Sequence, residues 1–212
     1  MNRMTAALGG ALVLAATNVA AAPGPYAVIS MGQTRIDAHA SQIDDRLREL
    51  DFSSATTRAD DRDTGLKVLG GYRVNDYLAV EGGYVEFGDT SLETATTGPP
   101  ARLRQKSGGH GFTLEAVASL PVTERFRLFA KLGGVYWDAQ SRFHVLVDGV
   151  EIDRWSDSAT GTDWVFGAGA SLDVHEHLAV RLEYERYRNV GDPARTGQSD
   201  VDFLSAGLVI SF

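Results

Sequence analysis

The chain has 212 residues and a formal net charge of −8, and it contains no cysteine. The acidic balance, with no basic run or stacking motif beside it, argues against a nucleic-acid-binding protein. The lack of cysteine excludes a disulfide framework and a thiolate metal site.

The first 21 residues are predicted to be a secretory signal peptide. A polar start that includes an arginine precedes an apolar segment from Met4 to Val19, and alanines occupy positions 20–22. We place the cleavage after Ala21, which leaves one predicted domain over residues 22–212. Beyond this leader the sequence has no apolar run of the roughly 18 residues that a membrane helix requires. Export therefore leads to the periplasm, the exterior or the outer membrane.

Apolar and polar residues then alternate in eight segments, which we interpret as β-strands. In chain order the segments are 25–37, 63–74, 77–88, 106–120, 126–143, 163–174, 178–189 and 199–212. Three connections between them are short, and the other four are long, polar and rich in Gly, Ser, Thr, Asp or Pro. Short turns on one rim and long loops on the other are typical of bacterial outer-membrane barrels, whose short turns lie in the periplasm.

The hairpin from Thr64 to Gly88 shows the alternation best. One face of each arm is apolar, as at Leu66 and Val80, and the opposite face combines small residues with charges such as Lys67 and Glu81. This pattern fits a soluble sandwich or a membrane barrel that turns its apolar face to lipid. Strands of about 11 residues, at ~3.3 Å each and tilted by about 40°, span the ~25 Å apolar band of an outer membrane. Their length favours the membrane barrel, and a soluble lipocalin would have the reverse polarity.

We therefore predict an all-β fold: an eight-stranded antiparallel up-and-down transmembrane β-barrel with short periplasmic turns and long extracellular loops. In the first long loop, Ile43, Leu47 and Leu50 have helical spacing, which predicts a short amphipathic helix. In the third long connection, Asp148 and Gly149 form a hairpin signal. The fifth and sixth strands are expected to continue beyond the membrane as a protruding hairpin.

Four stretches of the chain resemble the OmpA-like small outer-membrane barrels: DTGLKVLGGYRVNDYLAVEGGYVEFGD, SLPVTERFRLFAKLGGVYWDA, HLAVRLEYERYRNVGD and the ending FLSAGLVISF. The resemblance implies a stand-alone barrel in the outer membrane of a Gram-negative bacterium. It also implies periplasmic chaperones and the barrel-assembly machinery as partners during insertion, with Gly207, Ile210 and Phe212 as the assembly signal. Because the sequence stops at Phe212, we expect no peptidoglycan-binding domain of the kind that OmpA carries after its barrel.

The inward-facing parity of the strands predicts a charge network in the barrel lumen. An eight-stranded barrel is only wide enough for its own side chains, so buried charges there have to pair. Seven charged residues lie at similar distances along their strands from the short turns, and we therefore place them at similar heights in the barrel: Lys67, Glu81, Glu115, Lys131, Arg181, Glu183 and Glu185. We expect these side chains to plug the lumen, with Glu81 as the counter-charge to Arg181.

The resemblance to OmpA also raises the possibility of ion conduction. In OmpA, charged residues that match Glu81, Lys131 and Arg181 belong to a lumen network that includes a proposed salt-bridge gate. The positions of the alternative gate partners here hold Val117 and Ser171, which cannot pair ionically. This departure favours a structural plug over a small conductance.

Other candidate sites are weaker. His110 has the lipid-facing parity, where a lipid-modifying site would lie, but no patterned serine and acidic partner accompany it. His175 and His177 lack a third metal ligand and fit a solvated turn. The acidic residues between positions 60 and 63 fit a solvated loop better than a cation site. We predict no catalytic site, no cofactor and no metal site.

We interpret the protein as a monomeric, non-catalytic barrel with a filled polar core. Its predicted role is structural or surface-interacting: support of envelope integrity, and loop-mediated adhesion to an unidentified surface ligand. Outer-membrane lipid and lipopolysaccharide are the predicted partners in the membrane, and nucleic acid is not one. A low-conductance pore is the first alternative, and a lipid-modifying enzyme is the second.

Overall fold

The computed structural model describes residues 23–36, 55–60, 62–97, 100–147, 150–193 and 195–212. This part of the chain forms nine strands, and it contains no helix that is long and apolar enough to cross a membrane. The strands are β1 (Gly24–Ile36), β2 (Ala55–Asp60), β3 (Arg62–Arg73), β4 (Leu78–Thr97), β5 (Pro100–Pro121), β6 (Phe126–Val147), β7 (Val150–His175), β8 (Leu178–Val190) and β9 (Ser199–Ser211). The predicted signal peptide and the predicted helix near Ile43, Leu47 and Leu50 lie outside the described residues.

Eight of the strands form a closed antiparallel ring in the order β1, β3, β4, β5, β6, β7, β8 and β9. The ring closes where β1 pairs with β9, from Tyr26 opposite Ser211 to Ile36 opposite Val201. β2 is the additional strand, and it pairs with the outer part of β4. The predicted eight-stranded up-and-down barrel is confirmed.

The outer surface of the ring is apolar, as the strand parity predicts. Large apolar side chains such as Leu114, Leu132 and Leu204 are exposed there. At one level Tyr84, Phe112 and Tyr136 are cross-strand neighbours, and Trp164 follows on β7. Aromatic girdles of this kind lie at the membrane interface. We call these four residues the aromatic band, and they mark the extracellular edge of the lipid-facing surface.

The strands extend far beyond the aromatic band on one side of the barrel. β4, β5, β6 and β7 have 20, 22, 22 and 26 residues, whereas β8 and β9 have 13 each. The second long connection was expected to be a polar loop, but it is mostly strand, because backbone pairing continues from Asp89 opposite Gly108 to Thr97 opposite Pro100. Its many threonines suit extended structure.

The predicted protruding hairpin of β6 and β7 is confirmed, because their pairing continues to Val147 opposite Val150. The rings of Phe143 and Trp155 stack across it, with centroids 4.9 Å apart. His144 Nδ1 lies 3.0 Å from a carboxylate oxygen of Glu151. This hydrogen bond lowers the pKa of Glu151.

A β-bulge interrupts the pairing of β4 with β5 between Glu86 and Asp89. Gly88 has a φ of 74° there, in the left-handed region where a side chain is strained. Asp63 holds the bulge, since its carboxylate accepts hydrogen bonds from the backbone N–H of Thr64 at 2.7 Å and of Asp89 at 2.6 Å. Of the acidic run between positions 60 and 63, this side chain therefore has a structural role.

Candidate functional site

The centre of the lumen is occupied by a buried charge network. All seven side chains selected from the sequence lie in it, and each is at most 4% exposed. Lys131 is at its middle, where its Nζ lies 3.1 Å from Glu81, 3.1 Å from Glu115, 3.0 Å from Glu183 and 2.8 Å from Glu185. One ammonium group is thus shared by carboxylates from three strands.

The other two cations complete the network. Lys67 Nζ donates to Glu183 at 2.7 Å and also to Glu185. Arg181 Nη1 donates to Glu81 Oε1 at 2.6 Å, which is the pairing that the sequence suggested. Because a buried charge without a partner is very costly, the sharing of three cations among four carboxylates is the form in which so many charges can be buried.

Aromatic side chains that sequence reasoning missed surround the charges. The hydroxyl of Tyr26 donates to Glu81 at 2.7 Å, and that of Tyr187 donates to Glu185 at 2.9 Å. The guanidinium of Arg181 lies 4.0 Å from the ring centre of Phe129, in cation–π geometry. Each aromatic residue has the inward parity of its strand, so parity applied to tyrosine and phenylalanine as well as to charges would have found them.

The lumen beyond the charge network, toward the extracellular end, is apolar. We call this layer the apolar plug, and its buried members are Val85, Phe87, Val135, Trp137, Ala139, Val165, Tyr187, Val190, Val201 and Phe203. The rings of Phe87 and Tyr187 meet edge to face, with centroids 4.8 Å apart. Trp137 Nε1 donates to Asp163 at 2.9 Å. The expected polar core is wrong for this half, where packing of apolar side chains fills the barrel.

The connection between β8 and β9 covers the extracellular mouth of the lumen. Ser141, which is fully buried, donates from its hydroxyl to the carbonyl of Thr196 at 3.2 Å. Within the connection, the backbone N–H of Asp192 donates to the hydroxyl of Thr196 at 2.9 Å. Gly191 and Gly197 have φ values of 99° and 79°, which allow the chain to turn tightly over the opening. This segment forms a third layer of closure.

The periplasmic half of the lumen is open. A cavity of about 670 Å³ extends from the short turns to Glu81 and Arg181 at the charge network, and we call it the vestibule. On its wall Arg127 pairs with Asp173 at 2.9 Å. Val117 and Ser171 also line it, so the positions where gate partners were sought lie on the wall of the vestibule, next to the charge network.

The remaining candidate residues are dispersed. His110 lies on the outer surface with its ring centre 5.7 Å from that of Tyr84. His175 and His177 are exposed at a short turn. Within the described ranges, no three His, Cys, Asp or Glu side chains are grouped to hold a metal ion.

The proposed assembly signal lies at the end of β9 and just beyond it. Gly207 packs against β1, where an added Cβ would lie 2.2 Å from the Ser30 hydroxyl. Phe212 is 76% exposed, and its backbone N–H donates to the carbonyl of Pro25 at 3.1 Å. Ile210 pairs with Ala27 on β1 and Leu178 on β8. The role of these three residues in assembly stays a prediction.

Comparison with known proteins identifies the family. The OmpA-like transmembrane domain model matches residues 25–212. The chain belongs to this family. Outer membrane protein A of Klebsiella pneumoniae is 31% identical over 149 residues, which make up 70% of this chain and 41% of that protein. The chain thus matches about two fifths of the length of that relative.

Solved outer-membrane barrels align with most of this chain, but their sequences are distant. The N-terminal β-barrel domain of Pseudomonas aeruginosa OprF is 12% identical, with a TM-score of 0.47 over 90% of this chain and 100% of that chain. Neisserial surface protein A is 14% identical, with a TM-score of 0.47 over 92% of this chain and 100% of that chain. Family membership and the closed ring of strands place this OmpA-like barrel in the bacterial outer membrane.

Proposed function

We propose that this OmpA-like barrel is a closed, non-catalytic structural protein that supports the outer membrane. The observation that carries the proposal is the layered closure of its lumen: the charge network, the apolar plug above it, and the segment held by Ser141 and Thr196. A pore needs a continuous polar path, and ten buried apolar or aromatic residues interrupt it. Breaking the ion pairs alone leaves the plug in place.

Planar-bilayer recording tests the closure. We expect no conductance steps from the wild type or from Glu81→Ala, and a lower unfolding midpoint for Glu81→Ala. We expect steps only when Glu81→Ala is combined with Phe87→Ala and Phe203→Ala, which open the plug as well. Wild-type steps that Glu81→Ala enlarges or abolishes would show instead that the charge network gates a pore.

A deletion strain tests the envelope role. We expect the strain to become more sensitive to detergent, and we expect the non-conducting Glu81→Ala variant to restore resistance. Unchanged detergent sensitivity would contradict the structural role. Mass analysis of lipid A from the same strain addresses the enzymatic alternative, because an altered lipid A would indicate a lipid-modifying activity.

Surface interaction is the second part of the proposal, and the extracellular sheet supports it. Pairing of β7 with β8 ends at Val165 opposite Tyr187, whereas pairing with β6 continues to Val150. Within the described ranges, the outer part of β7 therefore has one free edge, and free strand edges accept further strands. Replacing residues 140–160 by a short Asn-Gly turn should abolish adhesion of cells to a surface while the barrel still folds. Unchanged adhesion by this variant would contradict the interaction.

A further inference from the structure

A small cleft lies on the outer surface of β4, β5 and β6, just beyond the aromatic band. Its volume is about 150 Å³. Gly108 makes room on its floor for the carboxylate of Asp89, because a Cβ at Gly108 would lie 2.2 Å from an oxygen of that group. The bulge at Gly88 bends β4 at the same place. We call this depression the outer cleft.

Two cations stand side by side at the far end of the outer cleft. Lys106 on β5 is directly opposite Arg142 on β6, and both side chains are exposed. Like charges in directly opposite positions destabilise a sheet. Neither cation has an acidic partner within ion-pair distance among the described residues, whereas the neighbouring Arg104 pairs with Glu93 at 3.4 Å. An anion from outside the protein would remove the repulsion between Lys106 and Arg142.

The near end of the outer cleft has a different chemistry. His110 is directly opposite Glu86 on one side and Asp138 on the other. Carboxylates and an imidazole accept and donate hydrogen bonds, as sugar hydroxyls require. The ring of Tyr84, 5.7 Å from that of His110, adds an apolar face beside them. One end of the cleft thus suits hydroxyl groups and the other suits a negative charge.

The height of the outer cleft points to the source of the ligand. Along β5 it begins two residues beyond Phe112, at His110, and ends six residues beyond it, at Lys106. At ~3.3 Å per residue and a tilt of about 40°, this is about 5 to about 15 Å above the aromatic band. In an outer membrane this layer contains the sugars of lipopolysaccharide, which lie above the acyl chains and interface.

We propose that the outer cleft binds an acidic sugar of the lipopolysaccharide core. The carboxylate or phosphate of the sugar pairs with Lys106 and Arg142, and its hydroxyls bond to Glu86, His110 and Asp138. The occupant is thus a saccharide of the same membrane, held at the wall of the barrel.

The test compares two lipids in nanodiscs that contain the folded protein: lipid A that carries two acidic core sugars, and lipid A without them. We expect the wild type to bind the sugar-bearing lipid more tightly. Lys106→Gln combined with Arg142→Gln should raise the Kd for that lipid about tenfold or more, since two charge-assisted hydrogen bonds are lost. Binding of lipid A alone should change little.

A matched double variant controls for net charge. Arg125→Gln with Arg188→Gln removes two exposed cations, one at a short periplasmic turn and one on β8, which does not border the outer cleft, and should leave both Kd values unchanged. Heat-modifiable migration on a gel verifies that each variant is folded. Equal binding of the two lipids by the wild type would refute the sugar as ligand and indicate a lipid phosphate instead. An unchanged Kd for the cleft variant would refute the site.

Discussion

The two halves of the lumen are packed differently. Toward the extracellular end, side chains such as Phe87 and Phe203 are at most 1% exposed and pack together in the apolar plug. Toward the periplasm, the vestibule of about 670 Å³ remains open, and the Arg127–Asp173 pair on its wall is partly exposed. The charge network separates the two halves. We therefore expect a substitution in the apolar plug to lower the free energy of unfolding more than the same substitution in the vestibule.

The difference shows where a barrel of this width needs exact packing. In the plug, a lost side chain leaves an empty space that neighbouring strands cannot fill, because the ring is closed. In the vestibule, water can replace a lost side chain. The same substitution made in both halves separates the two cases, and we order the following predictions from the largest expected effect to the smallest.

Replacing Lys131 by Met should have the largest effect. The change leaves four buried carboxylates without their shared cation, and breaking a buried pair costs about 3 to 5 kcal/mol. We expect a loss of about 5 kcal/mol in the free energy of unfolding, measured by urea titration in lipid vesicles. A loss below about 1 kcal/mol would show that the network does not stabilise the barrel.

Replacing Phe87 by Ala tests the apolar plug. The ring is 1% exposed and packs on Tyr187, so its removal should cost about 3 to 4 kcal/mol. Val135→Ala in the plug and Val117→Ala on the vestibule form a matched pair. Both valines are buried, but only Val117 borders the open cavity, where water can enter, so its loss should be clearly smaller. Equal losses for the two valine variants would mean that the two halves are packed alike.

Replacing Gly161 by Ala tests the fit of a single plug residue. An added Cβ would lie 2.4 Å from the indole of Trp137, so either the ring or the strand has to move. We expect a cost of about 1 to 3 kcal/mol and a shifted tryptophan emission. Gly134→Ala is the control, because an added Cβ would lie 3.7 Å from the backbone oxygen of Asp163, an ordinary contact distance, and it should change neither quantity.

Replacing Arg127 by Met should have the smallest effect. Its side chain is 16% exposed and that of Asp173 is 27% exposed, so water screens the pair. A double-mutant cycle with Asp173→Asn should give a coupling energy below about 1 kcal/mol. A coupling as large as the loss for Lys131→Met would place the pair inside the buried network.

Much of this architecture follows from a single rule, the alternation of faces along a strand. On β4 the alternation places Glu81 inward, and it places Val85 and Phe87, which follow four and six residues later, inward as well. Attention to charges did not find the plug, because its inward-facing residues are uncharged and the charged residues at this level, such as Glu86 and Asp138, face outward. The sharing of Lys131 among four carboxylates could not be predicted, because it depends on the rotamers of long side chains from several strands. The outer cleft depends on the register shift at Gly88, which alternation does not encode.

The charge network also has a consequence for how the barrel enters the membrane. Its partners are far apart in the sequence, with Arg181 and Glu81 separated by 100 residues and Lys67 and Glu185 by 118. A partly inserted set of strands would leave several of these ions facing hydrocarbon without partners, which is very costly. Insertion and ring closure are thereby coupled into one cooperative event, and an intermediate with half of its strands in lipid is disfavoured. We therefore expect the ions that stabilise the finished barrel also to disfavour its partly inserted forms.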